Sequence, residues 1–164
     1  MLRIIKIVEG TSVDGPGLRT SIYFAGCDHR CEGCHNPQSW NPEAGRDMTE
    51  DEILKVIAYN NFPVTFSGGD PFYNPEETAH LAQRIKKELH QNIWCFTGYR
   101  WEQLIQEDRF LSLLQHIDVL IDSPFVLAQR NTQLRFRGSE NQRIIDVQKS
   151  LQEGKIIDIT HQYS

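Results

Sequence analysis

Three cysteines that could hold a metal centre lie within eight residues near the N-terminus: Cys27, Cys31 and Cys34, in the run Gly26 to Pro37. One short loop carries all three thiols, so their thiolates can converge on one centre. A cubane iron–sulfur cluster usually takes four thiolates, and a structural zinc ion usually takes four ligands. A cluster held by three cysteines leaves one iron open to a substrate. The spacing therefore indicates chemistry rather than simple electron storage.

Two alternatives compete with a cluster of this kind. A zinc ion could take the three thiolates together with His29, His35 or Cys95. Zinc ligands usually come as two paired short spacings, and this sequence has no second pair, so we favour iron–sulfur. Cys95 lies in the apolar run Ile93-Trp94-Cys95-Phe96, where a free cysteine behaves as a small buried hydrophobic residue. As a fourth ligand it would close the open iron and weaken the prediction of an enzyme.

The order of motifs along the chain resembles a known enzyme family. The cysteine spacing, Cys-x3-Cys-x2-Cys, resembles that of the radical S-adenosylmethionine (SAM) enzymes. Other motifs precede and follow it: Asp14-Gly15-Pro16-Gly17-Leu18-Arg19, Asn36, Trp40, Ser67-Gly68-Gly69-Asp70-Pro71, Phe96-Thr97-Gly98-Tyr99, Asp118 to Asp122, and Arg135 to Arg143. Together, from about Glu9 to Val147, they resemble the activating proteins of anaerobic ribonucleoside-triphosphate reductase. Gly33, where many radical SAM enzymes carry an aromatic residue, and Asp70, where most carry glutamate, both fit this narrower family.

The resemblance implies roles for individual residues. Three cysteines hold a [4Fe-4S] cluster in this family, and the amino and carboxylate groups of SAM chelate the fourth iron. Ser67, Gly68, Gly69 and Asp70 are then expected to meet the SAM amino group, because glycines allow close backbone approach and Asp70 can accept hydrogen bonds from ammonium. The further cofactor-binding residues would be Thr97, Gly98 and Asp122, the last on the ribose or a bound cation. Asp14 and Arg19 would lie near the target peptide.

Plainer interpretations of these segments remain open. The first glycine-rich loop is also typical of a rigid turn, and Ser67 to Asp70 of an ordinary strand-to-helix turn. Thr97 and Gly98 could simply end a strand, and Asp122 could be a solvated acid. Arg135, Arg137 and Arg143 form a local positive region on an acidic protein, which is usually a solvated face.

The implied function is generation of a radical on another protein. An external one-electron donor would reduce the cluster, SAM would be cleaved to methionine and a 5′-deoxyadenosyl radical, and that radical would take a hydrogen from a glycine of the reductase. The cofactors carry this chemistry, so no acid–base catalyst is expected. Three rivals are an activase of another glycyl-radical enzyme such as pyruvate formate-lyase, a radical SAM synthase for a small molecule, and a non-catalytic iron–sulfur or zinc module.

Hydrophobic patterning predicts the elements that position these residues. We expect strands over 3–8, 20–24, 64–66, 92–97, 119–121 and 143–146. Helices are expected over 49–59, with Thr49 and Glu52 as a capping box, from Pro75 through Leu89, and over 101–107 and 110–115. The segment from about residue 156 is either a last strand or a loose tail. Strand–helix alternation indicates an α/β fold with parallel strands, whose carboxyl ends would share one mouth.

Length and composition set further limits. The 164 residues suit a single domain, 1–164, but a closed eight-stranded barrel needs roughly 250, so we expect an incomplete (βα) barrel of the radical SAM type with an open parallel sheet. The net charge of −5 and the lack of a basic tract argue against nucleic acid. No apolar run resembles a signal peptide or a membrane span. Clustered thiols argue against a disulfide framework, and a cytoplasmic protein is expected.

Overall fold

The computed structural model describes residues 1–34 and 37–163, which form one open seven-stranded sheet flanked by helices. The strands are β1 (Leu2–Thr11), β2 (Arg19–Phe24), β3 (Arg46–Met48), β4 (Val64–Gly68), β5 (Ile93–Phe96), β6 (Val119–Asp122) and β7 (Arg143–Asp146). Their order across the sheet is β3-β1-β2-β4-β5-β6-β7. The edge strands β3 and β7 do not meet, so the sheet is not closed.

The expected parallel arrangement holds for the centre of the sheet and not for its sides. Strands β2, β4, β5 and β6 are parallel, whereas β1 and β3 on one side and β7 on the other pair antiparallel. The connections explain this difference. Helices link the parallel strands, as a crossover requires, but β1 reaches β2 through a short loop and no crossover helix separates β6 from β7.

Five helices lie in the described part of the chain: α1 (Glu50–Asn60), α2 (Pro75–Arg84), α3 (Trp101–Leu104), α4 (Asp108–Leu114) and α5 (Val147–Glu153). The expected capping box of α1 is present, since Thr49 Oγ1 accepts from Glu52 N and Glu52 Oε1 accepts from Thr49 N. Pro75 opens α2 as expected, but the Asn74 side chain makes no capping bond. The helix continues as a wider turn over Ile85–Leu89.

Alternate side chains of the strands build two cores, one on each face of the sheet. The larger core lies against the helices and contains fully buried residues such as Ile22, Phe66 and Cys95. A smaller core on the opposite face joins Trp94, Ile121 and Ile144 to the partly buried rings of Phe136 and Tyr163. The second face is therefore only partly covered, which leaves room for a cavity above the smaller core.

The C-terminal segment is neither a regular strand nor a loose tail. Asp158 forms a single bridge with Ile145, and a helical turn follows over Thr160–Tyr163. The Tyr163 ring packs edge-on against Trp94, with ring centroids 5.3 Å apart. The segment thus covers part of the sheet face that carries the smaller core. None of the helices in residues 1–34 and 37–163 is long and apolar enough to cross a membrane.

Candidate functional site

A cavity of about 380 Å³ opens at the carboxyl ends of the parallel strands. The segments that follow β2, β4, β5 and β6 all contribute to its wall, as expected for ligand sites in parallel sheets. Most of the residues singled out from the sequence line it: Asp14, Cys27, Cys31, Cys34, Ser67, Gly68, Gly69, Thr97 and Gly98. Three others, Arg19, Asp70 and Asp122, are buried and are not among the lining residues.

The cysteine loop is anchored to neighbouring segments through its backbone. Gly26 N donates to Ser39 O at 2.7 Å, and Asp70 N donates to Gly26 O at the same distance. Burial raises the pKa of the Cys27 thiol to about 11, although backbone N–H groups of His29 and Arg30 oppose the shift. Burial also raises the pKa of Cys31, against a backbone hydrogen bond from Phe125. Thiols in this setting ionise readily only when a metal cation coordinates them.

The three loop thiols form a donor set that fits an iron–sulfur cluster. The described ranges, 1–34 and 37–163, contain no group of three or more His, Cys, Asp or Glu side chains placed to share one metal ion. A zinc ion needs four ligands around one point, whereas a cubane spreads its thiolates over separate iron atoms. Three thiols along one cavity wall suit the second arrangement.

The proposed completions of a zinc site also find little support. Cys95 is fully buried in the core on the helix side of the sheet and is absent from the cavity lining. His29 lines the cavity, but its Nε2 atom is hydrogen-bonded to Asp70 Oδ2 at 2.7 Å. His35, the remaining candidate, and Asn36 lie outside the described residues.

The two glycines after β4 are required by packing within the protein. A Cβ atom on Gly68, whose φ is +98°, would lie 2.4 Å from Phe24 N, and one on Gly69 would lie 2.3 Å from Gly26 O. Gly69 N also donates to Phe24 O at 2.8 Å. These glycines bring the end of β4 against the segment that carries Cys27. The atoms that a Cβ would meet at both positions are backbone atoms of the protein itself, and not atoms of a ligand.

Asp70 is engaged by several hydrogen-bond donors of the protein itself. Its side chain is almost fully buried and accepts hydrogen bonds from His29, from the Thr97 hydroxyl, and from the backbone N–H groups of Phe72 and Gly98. Both carboxylate oxygens are engaged by protein donors. Burial lowers the pKa of His29, but the hydrogen bond and charge of Asp70 outweigh it and the net shift is upward. Asp70 therefore joins the cysteine loop to the end of β5.

Asp122 is likewise occupied by protein groups rather than open to a ribose or a cation. It is fully buried, and Arg143 donates to both of its oxygens, from Nε at 3.0 Å and from Nη2 at 2.5 Å. Trp101 N donates to it at 2.9 Å. These bonds, with a second ion pair to Glu102, raise the pKa of Arg143. Arg143 is thus a structural cation, and not part of a solvated face.

The two residues expected at the target peptide differ in their exposure to the cavity. Asp14 lines the cavity and accepts a hydrogen bond of 2.5 Å from the Tyr23 hydroxyl, and Lys6 lies over the Tyr23 ring. Arg19 is only 2% exposed and donates into the protein, to Thr65 Oγ1 and Val64 O. Arg19 is therefore held inside the protein, and its contact with the target peptide stays a prediction.

One wall of the cavity was missed by sequence reasoning. The segment 123–142 contributes Ser123, Phe125, Phe136, Gly138 and Gln142 to the lining. The Gln142 side chain holds the segment together, accepting from Gly138 N and donating to Ser123 O. The run Arg135 to Arg143 is notable in the sequence for its place in the motif order and for its charges, whereas the Gln142 amide and the Phe136 ring are the groups of this run that shape the site.

Comparison with known proteins places the chain in a family. A family model for a 4Fe-4S single cluster domain matches residues 13–145. A curated protein from Haemophilus influenzae is 38% identical over 141 residues, which cover 80% of this chain and 90% of the relative. The match to an Enterobacteria phage T4 protein is 35% over 141 residues, covering 80% and 86%, respectively. For an Escherichia coli K12 protein it is 34% over 139 residues, covering 79% and 89%.

All three relatives are named as activating proteins of one enzyme. The matched stretch includes the cysteine loop and every strand from β2 to β6, so the similarity extends over the cavity lining apart from Lys6. The chain belongs to the family of anaerobic ribonucleoside-triphosphate reductase-activating proteins.

Proposed function

We propose that this protein is a radical SAM enzyme that generates a glycyl radical on anaerobic ribonucleoside-triphosphate reductase. The observation that carries the proposal is the position of Cys27, Cys31 and Cys34 along one wall of a cavity at the parallel strand ends. The relatives' names indicate the reductase as the target. We further propose that residues 1–164 form one domain of the incomplete-barrel type, open at the side where a macromolecular substrate must enter.

The three cysteines would hold a [4Fe-4S] cluster and leave one iron to SAM. When bound together, the reduced cluster and SAM supply a 5′-deoxyadenosyl radical, with methionine as the other product, and the radical takes a hydrogen atom from a glycine of the reductase. The electron comes from an external one-electron donor. The protein's own contribution is position, shielding and electrostatics.

The geometry favours backbone rather than carboxylate recognition of the SAM amino group. Ser67, Gly68 and Gly69 line the cavity beside Cys27, and their backbone can present carbonyl oxygens to an ammonium group. Asp70 lies behind them with both oxygens engaged, so it would act on SAM only through the shape of this turn. Thr97 and Gly98 complete the same wall.

The apolar side of the cavity suits a reactive radical that must be kept from side reactions. Phe96, Phe125 and Phe136 line it, and Gly138 allows close packing against the Phe125 ring. Asp14, Tyr23 and Lys6 supply polar groups on another part of the wall. A peptide backbone could find its hydrogen-bond partners there, which keeps Asp14 as the proposed contact with the reductase.

Anaerobic reconstitution with iron and sulfide tests the proposal directly. We expect about four irons per chain, as a [4Fe-4S] centre requires, an electron paramagnetic resonance (EPR) spectrum of the reduced protein that SAM perturbs, and release of 5′-deoxyadenosine. Mixing with the reductase should then yield a glycyl radical signal on that partner. An iron–sulfur protein that leaves SAM intact would be an electron carrier. Cleavage of SAM with activation of another glycyl-radical enzyme instead would overturn the choice of partner.

A further inference from the structure

The buried carboxylate of Asp70 connects three separate segments at the mouth of the sheet. It accepts from His29 Nε2 at 2.7 Å, from Thr97 Oγ1 at 3.0 Å, from Gly98 N at 3.0 Å and from Phe72 N at 2.9 Å. These donors come from the cysteine loop, the end of β5 and the turn that follows β4. A carboxylate with only 2% of its residue exposed needs such donors, because an unpaired buried charge is strongly unfavourable.

His29 is the member of this network that belongs to the cysteine loop. It lies between the first two cysteines, and its ring packs edge-on against Tyr99 with centroids 4.5 Å apart. The absence of a side chain at Gly98 is essential to this placement, since a Cβ there would lie 2.5 Å from the His29 ring. The His29 ring is thus held by the hydrogen bond at Nε2 and by packing against Tyr99 and Gly98.

The loop has no regular secondary structure of its own. Between Asp28 and Cys34 the backbone has no helix or strand, although Cys34 N donates to Cys31 O at 3.1 Å and backbone N–H groups of His29 and Arg30 interact with Cys27. Fixing flexible backbone requires contacts that outweigh its conformational entropy. The charge-assisted hydrogen bond from His29, which lies between Cys27 and Cys31 in the sequence, to Asp70 is well placed to supply such a contact.

We propose that His29 and Asp70 are positioning residues that lock the cysteine loop onto the ends of β4 and β5, so that the thiols are preorganised to retain the cluster. This inference rests on the cluster of the proposed function. In this role His29 acts through the loop and not as a ligand. Outer-shell hydrogen bonds of this kind typically change metal affinity by about 10- to 100-fold when removed.

Variants of His29 test this role while the buried carboxylate keeps its bonds to Thr97, Gly98 and Phe72. His29→Ala removes the hydrogen bond, whereas His29→Gln keeps a side-chain N–H that can reach Asp70. His80→Ala is a matched control, because His80 also pairs with a carboxylate, Glu50 Oε2 at 2.5 Å, but lies on the exposed side of α2. Asp70→Ala is avoided because it would leave buried backbone N–H groups unpaired.

Each variant is reconstituted anaerobically, and cluster loss to an iron chelator is followed by absorbance while the EPR line shape of the reduced form is recorded. We expect His29→Ala to lose its cluster at least about tenfold faster than wild type, with an altered line shape, and His29→Gln to recover most of the difference. His80→Ala should match wild type. The urea midpoint of the iron-free chains should be similar for all four proteins.

Three results would count against these roles. Equal cluster retention in His29→Ala and wild type would show that the hydrogen bond does not position the loop. Equal losses in the alanine and glutamine variants, with a matching fall in the urea midpoint, would show that His29 only stabilises the fold. Failure of the wild-type chain to take up a cluster would instead overturn the proposed function, and the positioning role with it.

Discussion

Replacement of Arg19 by methionine should destabilise the fold rather than weaken recognition of the reductase. The guanidinium is 2% exposed and donates to Thr65 Oγ1 and Val64 O, both at 2.9 Å. It also reaches Asn92 Oδ1 at 2.7 Å, near the surface. Methionine fills much of the same space but donates no hydrogen bond. The Val64 carbonyl and the Thr65 hydroxyl would then each lose a donor, although the Thr65 hydroxyl would keep its bond to Asp14 O, so the cost lies toward the lower end of the expected range.

The magnitude follows from those two acceptors. A buried group left without its hydrogen bond costs about 1–3 kcal/mol, so two cost roughly 2–6 kcal/mol. Burial lowers the pKa of Arg19 to about 10, which shows that the charge itself is held at an electrostatic penalty that methionine would relieve. We therefore expect a net loss near the lower end, about 3 kcal/mol. With a denaturant slope of about 2 kcal/mol/M, the urea midpoint falls by about 1.5 M.

Equilibrium urea unfolding of the iron-free, fully reduced chain, followed by far-ultraviolet circular dichroism, measures this loss. The control is Arg109→Met, because Arg109 is about half exposed, its ion pair is with half-exposed Glu107, and methionine can keep the packing against the Phe110 ring, so the loss should stay within about 0.5 kcal/mol. The argument fails if Arg19→Met keeps the wild-type midpoint yet supports little glycyl radical on the reductase. That result would return Arg19 to the partner interface.

Three further predictions concern the cluster, the glycine turn and pH. Replacing any of the three loop cysteines by serine should remove most of the iron, whereas Cys95→Ser should keep it because that thiol is buried in the helix-side core, as iron and sulfide assays will check. Gly68→Ala should lower the thermal midpoint far more than Gly17→Ala, which meets no atom within 4 Å and adds only backbone strain of about 1 kcal/mol. Burial lowers the pKa of His116 in the folded protein, so the unfolded chain takes up a proton first as the pH falls. The free energy of unfolding therefore decreases as the pH falls through and below the unfolded pKa of this residue, and His116→Gln should flatten the fall in urea midpoint over that range.

Much of the fold followed from hydrophobic patterning because the central strands are buried on both faces. Such strands appear as short apolar runs, and each predicted run corresponds to an observed strand. Strand β3 could not be predicted in this way, since Arg46-Asp47-Met48 has neither apolar alternation nor β-branched residues. It exists because Leu2 to Ile4 offers an edge to pair with. Tertiary pairing of this kind leaves no local signal.

The candidate site divides along a similar line. The cysteines and glycines could be identified because their types and spacing limit what they can do. The protein partners of Arg19, Asp70 and Asp122 could not, because a charged residue in a sequence gives no sign of which side chain will satisfy it. Each has, besides a near neighbour, at least one partner more than 20 residues away, such as Arg143 for Asp122. Only the folded arrangement reveals those partners.

The distribution of charge around the cavity supports a site in which the cofactors perform the chemistry. Two carboxylates that the sequence placed at the ligand, Asp70 and Asp122, are buried behind the wall and fully engaged. Asp14 does face the cavity, but it already accepts from Tyr23, and the pKa of Tyr23 is raised by burial and by that bond, so its hydroxyl keeps its proton. General acid–base catalysis needs groups that exchange protons near neutral pH. A wall of glycine backbone, aromatic rings and hydrogen-bonded carboxylates fits the proposed function, in which the protein contributes position and shielding.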